Sequence, residues 1–147
     1  MKKGRKSTAQ ENYLKTILKL VHENGTARVR DIAASVNVHK STVTAALKAL
    51  AEKKLVNYSP YKLVTLTDSG QQQAEELLRT HKTIENFLTK TLLVPNDIAG
   101  QNACRMEHVI DRQTLDRLAM FVDFINHRGG NIIDEFATYI RNNKGTN

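Results

Sequence analysis

A group of potential metal ligands lies in the second half of the chain. Cys104, Glu107 and His108 occupy positions i, i+3 and i+4 of a predicted helix, a spacing that turns three side chains toward one point. A thiolate, a carboxylate and an imidazole in that arrangement can chelate a divalent transition ion. The same spacing fits a packed cysteine beside a hydrogen-bonded core histidine, so spacing alone leaves both interpretations open.

A second polar pair, His81 and Glu85, stands at i and i+4 of a long predicted helix, in the register of that helix's apolar stripe. A polar pair on a buried face needs a partner, and a metal ion is one such partner. The single cysteine argues against a zinc finger, because one cysteine cannot build a site dominated by thiolates. The sequence also has no metalloprotease helix, nucleophile elbow or phosphate-binding loop. We therefore expect a binding protein and not an enzyme, with a metal-dependent enzyme or metal-storage protein as the rival class.

The first half of the chain predicts a DNA-binding head. Apolar residues at helical spacing in 29–36 and 43–50 predict a helix-turn-helix, and alternation on both sides of 59–62 predicts a two-stranded wing. A solvated face of any small helical domain is the alternative interpretation of the outward side chains. The residues that we expect to face DNA carry basic groups, hydroxyls or, once, a methyl group: Arg28, Arg30, Lys40, Ser41, Thr42, Thr44, Ala45, Lys48, Tyr58 and Lys62.

Charge is distributed unevenly between the two halves. Residues 1–67 hold 13 Lys and Arg against 4 Asp and Glu, a net charge of +9, whereas residues 68–147 hold 9 against 11, a net charge of −2. The positive charge therefore accompanies the winged helix, where phosphates would be met. Double-stranded DNA is the partner that this distribution predicts.

The second half of the chain predicts only helices. The fold class is therefore mainly α, with a winged helix-turn-helix over residues 1–67 and a helical dimerisation and metal-binding domain over residues 68–147. Apolar stripes in the second half exceed what one small lobe buries alone, which predicts a homodimer and a pseudo-palindromic operator. The predicted helices outside the helix-turn-helix span about 10–24, 68–92, 98–110 and 111–125, with a turn at 127–130 before a last short helix.

The sequence predicts no membrane association. No stretch is long and apolar enough to span a bilayer, and the basic first ten residues lack the apolar run of a signal peptide. We therefore expect a cytoplasmic protein without a membrane partner.

Six short segments, at residues 11–14, 31–33, 41–44, 66–70, 81–88 and 103–108, carry a family resemblance when they are taken together. In this order they resemble the metal-dependent repressors of the diphtheria toxin repressor and manganese transport regulator family, over roughly residues 11–125. The resemblance implies a homodimeric winged-helix repressor that binds Fe(II) or Mn(II) between its first helix and its dimerisation helices. It further implies that the metal-loaded form binds operators of metal-uptake genes.

The resemblance also implies a set of ligands. It assigns one site to Cys104, Glu107 and His108 and a neighbouring site to His81 and Glu85. It adds Asn12 on the first helix as a further ligand of the metal.

Two features of this chain bear on which metal is bound. Lys15 stands where the manganese branch of the family has a glutamate, and a protonated amine repels a nearby cation. The thiolate of Cys104 favours Fe(II) or Zn(II) over Mn(II), because softer ligands prefer the later metals. We therefore expect Fe(II), with Mn(II) or Zn(II) as alternatives. A winged-helix regulator of the same fold that has lost metal control is the alternative function.

Overall fold

The computed structural model describes residues 3–128 and 131–143, with side chains from Thr8 onward. The described residues are mainly helical, as predicted, and they form two compact units, one ending at Leu78 and the other beginning at Arg79. The domain boundary predicted between residues 67 and 68 stays a prediction.

The first unit contains the predicted winged helix-turn-helix. Val56 pairs with Leu66 in the antiparallel wing, and Val64 forms a further bridge with Ala27, which the sequence analysis missed. The helices and strands are α1 (Lys3–Asn24), α2 (Val29–Val36), α3 (Lys40–Glu52), β1 (Val56–Asn57), β2 (Thr65–Leu66) and the start of α4 (Asp68–Asn86). The fully buried side chains of this unit come from α1, α2, α3 and the wing and include Leu14, Ile17, Ile32, Val43, Leu47, Leu50 and Val64.

The turn between α2 and α3 depends on Asn37. This residue takes the left-handed conformation, with φ 54° and ψ 51°, which asparagine tolerates better than most residues and which ends a helix. The backbone N–H of Val38 then donates to the carbonyl of Ala33 at 3.1 Å. Because Ala33 is small and buried, α2 and α3 can cross closely behind the exposed face of α3.

The first turn of α4 is fixed by two local contacts. The Thr67 hydroxyl oxygen accepts the N–H of Gly70 at 3.1 Å in an N-cap bond, and the same hydroxyl donates to the carbonyl of Lys54. Gly70 is buried against the backbone of Leu55, and a Cβ at this glycine would lie only 1.9 Å from the Leu55 carbonyl oxygen. No residue larger than glycine fits this approach.

The described residues of the second unit form helices joined by short turns, without a strand among them. After α4, a π-helical turn covers Phe87–Thr91, followed by α5 (Asn96–Met106), α6 (Arg112–Arg128) and α7 (Asn131–Asn143). Its core is small and consists of Ile84, Leu88, Ala99 and Ala103, with partly buried apolar side chains around them.

Several predicted helix bounds were wrong. The helix predicted to run to residue 92 is α-helical only to Asn86, and the one predicted to run to residue 110 ends at Met106. α6 continues to Arg128 instead of ending at residue 125, so His127 and Arg128 are helical and not in a turn; Gly129 and Gly130 lie outside the described residues. α1 begins at Lys3, earlier than the predicted residue 10. Helix ends depend on capping and on backbone hydrogen bonds, which apolar spacing does not encode.

Large apolar side chains remain exposed on the last two helices. They are Met120, Phe121 and Phe124 of α6 and Ile132 and Tyr139 of α7, and α7 buries none of its residues within this chain. Such exposure is typical of a protein–protein interface, in agreement with the predicted dimer. No described helix combines the length and the apolar character that crossing a bilayer requires.

Candidate metal centre and nucleic-acid interface

The three predicted ligands of the main site converge in the second unit. One ligand atom from each of Cys104, Glu107 and His108 lies within 4.8 Å of the other two. The prediction that all three stand on one helix was wrong, because α5 ends at Met106. The chain nevertheless keeps a helical backbone at Glu107, whose N–H donates to the Ala103 carbonyl at 3.0 Å, and the side chains therefore still point to one place.

The carboxylate of Glu107 is the most buried part of this cluster, with a side-chain exposure of 0%. His81 Nδ1 lies 2.7 Å from Glu107 Oε2, and His108 Nε2 lies 3.3 Å from Glu107 Oε1. A carboxylate removed from water is costly unless charges or hydrogen bonds compensate it, and here the imidazole of His81 lies at hydrogen-bond distance from it. The contact between His81 and Glu107 also joins α4 to the end of α5, across 26 residues of sequence.

The remaining predicted ligands are placed differently. Glu85 is half-buried one turn after His81, and its Oε1 lies 3.6 Å from where a Cβ of Gly100 would stand, so this carboxylate faces α5. Among the described residues, only Cys104, Glu107 and His108 form a converging group of three His, Cys, Asp or Glu donors, and Glu85 is outside it. Asn12 is half-buried on α1 in the first unit, and its role as a ligand stays a prediction.

The donor set fits a divalent transition ion. One sulfur, one carboxylate and one or two imidazole nitrogens make a mixed site of intermediate softness, which suits Fe(II) and Zn(II) and accommodates Mn(II) less well. Glu107 supplies negative charge inside the protein, and its contact with His81 orients a neighbouring imidazole. The cluster therefore has the composition and the support of a metal centre.

The predicted DNA-facing residues gather in the first unit around an open groove of about 1030 Å³. Lys40, Thr44 and Lys48 follow one another at intervals of four along α3, while Val43 and Leu47 bury the opposite face. Seven of the ten predicted residues line this groove, namely Arg28, Arg30, Lys40, Thr44, Lys48, Tyr58 and Lys62. Five of these seven are basic, which makes the groove a surface for a polyanion.

The other three predicted DNA contacts lie outside this groove. Ser41 lines a neighbouring concavity at the start of α3, together with His39 and Lys40, and Thr42 and Ala45 are exposed on α3 without lining either surface. Sequence reasoning missed three apolar groove residues of the wing, Pro60, Tyr61 and Leu63. The signal that would have found them is the turn itself, since its tip faces the same side as the recognition helix.

Family models match both halves of the chain. Residues 6–64 match the iron dependent repressor N-terminal DNA binding domain, and residues 67–133 match the iron dependent repressor metal binding and dimerisation domain. The chain is 35% identical over 118 residues to an uncharacterised helix-turn-helix-type transcriptional regulator of Methanocaldococcus jannaschii, covering 80% of this chain and 94% of that protein. It is 38% identical over 111 residues to the transcriptional regulator MntR of Escherichia coli, covering 76% of this chain and 71% of MntR.

A solved structure shares the fold. The structure of the manganese regulator SloR matches with a TM-score of 0.70 and 30% sequence identity, over 78% of this chain and 54% of SloR. The chain thus spans about half the length of that structure.

Proposed function

Since the chain belongs to the iron-dependent repressor family, we propose that it is a homodimeric transcriptional repressor whose binding to operator DNA requires a divalent metal. The observation that carries this proposal is that Cys104 and His108 converge on the buried carboxylate of Glu107. The other unit of the chain presents a basic groove. Metal binding and DNA binding would be the two functions of the two units.

Cys104, Glu107 and His108 would hold the metal, and His81 would orient the centre through its contact with Glu107. A bound divalent ion supplies positive charge that balances the buried carboxylate. We propose Fe(II) as the physiological ion because of the thiolate, and the description of SloR as a manganese regulator supports Mn(II) as the alternative. Affinity should fall at acid pH, because thiol and imidazole groups coordinate only after losing their protons.

The recognition helix α3 would enter the major groove of the operator. Lys40 and Lys48 would contact phosphates, the hydroxyl of Thr44 a phosphate or a base edge, and the Ala45 methyl a thymine methyl. A dimer presents two such helices, so the operator would contain two half-sites about one helical turn apart. Metal-uptake genes are the expected targets.

The proposal is tested by measuring metal and DNA binding together. Duplexes are selected from random sequence by protein loaded anaerobically with Fe(II), Mn(II) or Zn(II), and the metal-free protein is then titrated with each ion in the presence of the selected duplex. We expect operator affinity to rise by about tenfold to a hundredfold with the preferred ion. Equal affinity with metal and with chelator would contradict metal control.

Two variants separate this function from its alternative, a regulator of the same fold without metal control. Cys104→Ala and Glu107→Ala should each abolish the metal-dependent part of DNA binding and leave the weak metal-independent part intact. If both variants keep full metal-dependent binding, the metal acts elsewhere and the proposed centre is wrong. Absence of a selected duplex with all three ions would contradict the repressor function itself.

A further inference from the structure

The tip of the wing carries a tyrosine that the fold does not need. A backbone hydrogen bond from the N–H of Lys62 to the carbonyl of Ser59, at 3.2 Å, closes a four-residue turn. Pro60 and Tyr61 are its two central residues, and Tyr61 has φ 65°. Proline followed by a positive φ is typical of a type II turn, whose second central position favours glycine or asparagine.

Tyrosine is an unfavourable choice at this position. A bulky side chain in the left-handed region brings its Cβ close to the backbone, a strain that glycine does not have. Burial does not compensate for this strain, because Tyr61 is a fully exposed residue, at 108% of its reference area. Strained residues of this kind persist mostly where they serve a function.

The surroundings of Tyr61 indicate what it contacts. It lines the same groove as Lys40, Lys48 and Arg28, next to Lys62 of its own turn. A partner that lies along these cations must be strongly negative and extended, and duplex DNA has both properties. Pro60 and Leu63 add apolar surface beside the ring, and deoxyribose groups offer apolar surface between the phosphates.

We propose that Tyr61 is a DNA-contacting residue of the wing, with its ring packed against deoxyribose at the edge of the operator and its hydroxyl donating to a phosphate. Tyrosine suits this contact because its ring is apolar and its tip is polar. Such a contact positions the wing on the duplex beside the major groove that α3 occupies. This inference rests on the proposed repressor function and adds a residue to it.

Three variants test the proposal in the full chain loaded with the ion that gives the tightest DNA binding, with the duplex selected by the wild type as the probe. Tyr61→Gly removes the ring and relieves the strain, so the melting temperature should stay the same or rise by up to about 5 °C. Its affinity for the duplex should nevertheless fall by about tenfold. Tyr61→Phe keeps the ring and should lose about threefold.

The matched control is Lys54→Gly. Lys54 is also exposed and left-handed, with φ 57°, and it lies in the first unit but does not line the groove. This variant should match Tyr61→Gly in melting temperature while binding the duplex within about twofold of the wild type.

The possible outcomes are distinct. Weaker binding by Tyr61→Gly without loss of stability supports the proposal. Unchanged binding by Tyr61→Gly overturns the role of Tyr61 and leaves the repressor function intact. A loss of stability that parallels the loss of binding has the same consequence. A wild-type protein that selects no duplex overturns the repressor function and the role of Tyr61 with it.

Discussion

Neutralising the buried carboxylate of Glu107 is the most direct test of the metal centre. Glu107→Gln keeps the shape of the side chain and an oxygen acceptor but removes one negative charge from a fully enclosed position. Two unit charges about 4 Å apart attract one another by about 4 kcal/mol at an effective dielectric constant of 20. The donor atoms lie within 4.8 Å of one another, so an ion among them feels most of this attraction. We expect a loss of about 3 kcal/mol, or more than about a hundredfold in the Kd for metal.

The metal-free fold should respond much less to the same substitution. The variant loses a charge-assisted hydrogen bond to His81, which is worth about 1.5–3 kcal/mol, but it also escapes the cost of a buried charge. These effects oppose one another, and we expect a change in melting temperature of less than about 5 °C.

The assay is competition for Zn(II) and Mn(II) against a fluorescent chelator, followed by thermal unfolding with and without metal. Glu135→Gln is the matched control, since it makes the same chemical change at an exposed position of α7. A folded Glu107→Gln protein that binds both ions within about threefold of the wild type would refute the assignment of this carboxylate as a ligand.

Four further substitutions test other parts of the structure. Gly70→Ala should lower the free energy of unfolding by about 3 kcal/mol or more in chemical denaturation, because its Cβ would collide with the Leu55 carbonyl. Gly100→Ala, in the middle of α5 with its nearest contact at 3.6 Å, should instead be neutral or stabilising by up to about 1 kcal/mol, and equal losses in the two variants would contradict the packing described. The backbone N–H and hydroxyl of Thr114 hold the pKa of Asp111 below its usual 3.8, so this carboxylate stabilises α6 above that pH and loses its effect as the pH falls further. Asp111→Ala should therefore lower the melting temperature at pH 7 and make little difference at pH 2, and a pH-independent difference would exclude this cap. Cys104→Asp should shift metal preference toward Mn(II) in calorimetric titrations, and an unchanged ratio of affinities for Mn(II) and Zn(II) would argue against coordination by sulfur.

Much of the DNA-binding head was predictable because each of its helices and turns has a recognisable local sequence pattern. Apolar spacing fixed the inward faces of α2 and α3, and the exposed faces therefore followed, Lys40 and Lys48 among them. The third strand contact of the wing was not predictable, since a single bridge between Ala27 and Val64 leaves no alternation in the sequence. The requirement for glycine at position 70 was also hidden, because it depends on the distant backbone of Leu55.

Helical spacing predicted the metal cluster, although the three residues do not all lie within one helix. Spacing placed Cys104, Glu107 and His108 on one helical face, and they do converge although α5 ends before the second of them. The contact between His81 and Glu107 needs the packing of α4 against the end of α5, which a single sequence does not reveal. The π-helical turn after Asn86 was invisible for a similar reason, since one extra residue per turn barely alters an apolar stripe.

The short bridge from Val64 to Ala27, with its hydrogen bond of 2.9 Å, ties the returning strand of the wing to the segment that leads into α2. The returning strand is thus held both by β1 and by the segment around Ala27. This strand therefore has little backbone freedom left to lose. We expect the winged helix to lose little conformational entropy when it binds a duplex. Because the bridge fixes the spacing between hairpin and recognition helix, we expect the head to prefer duplexes whose groove dimensions match that spacing.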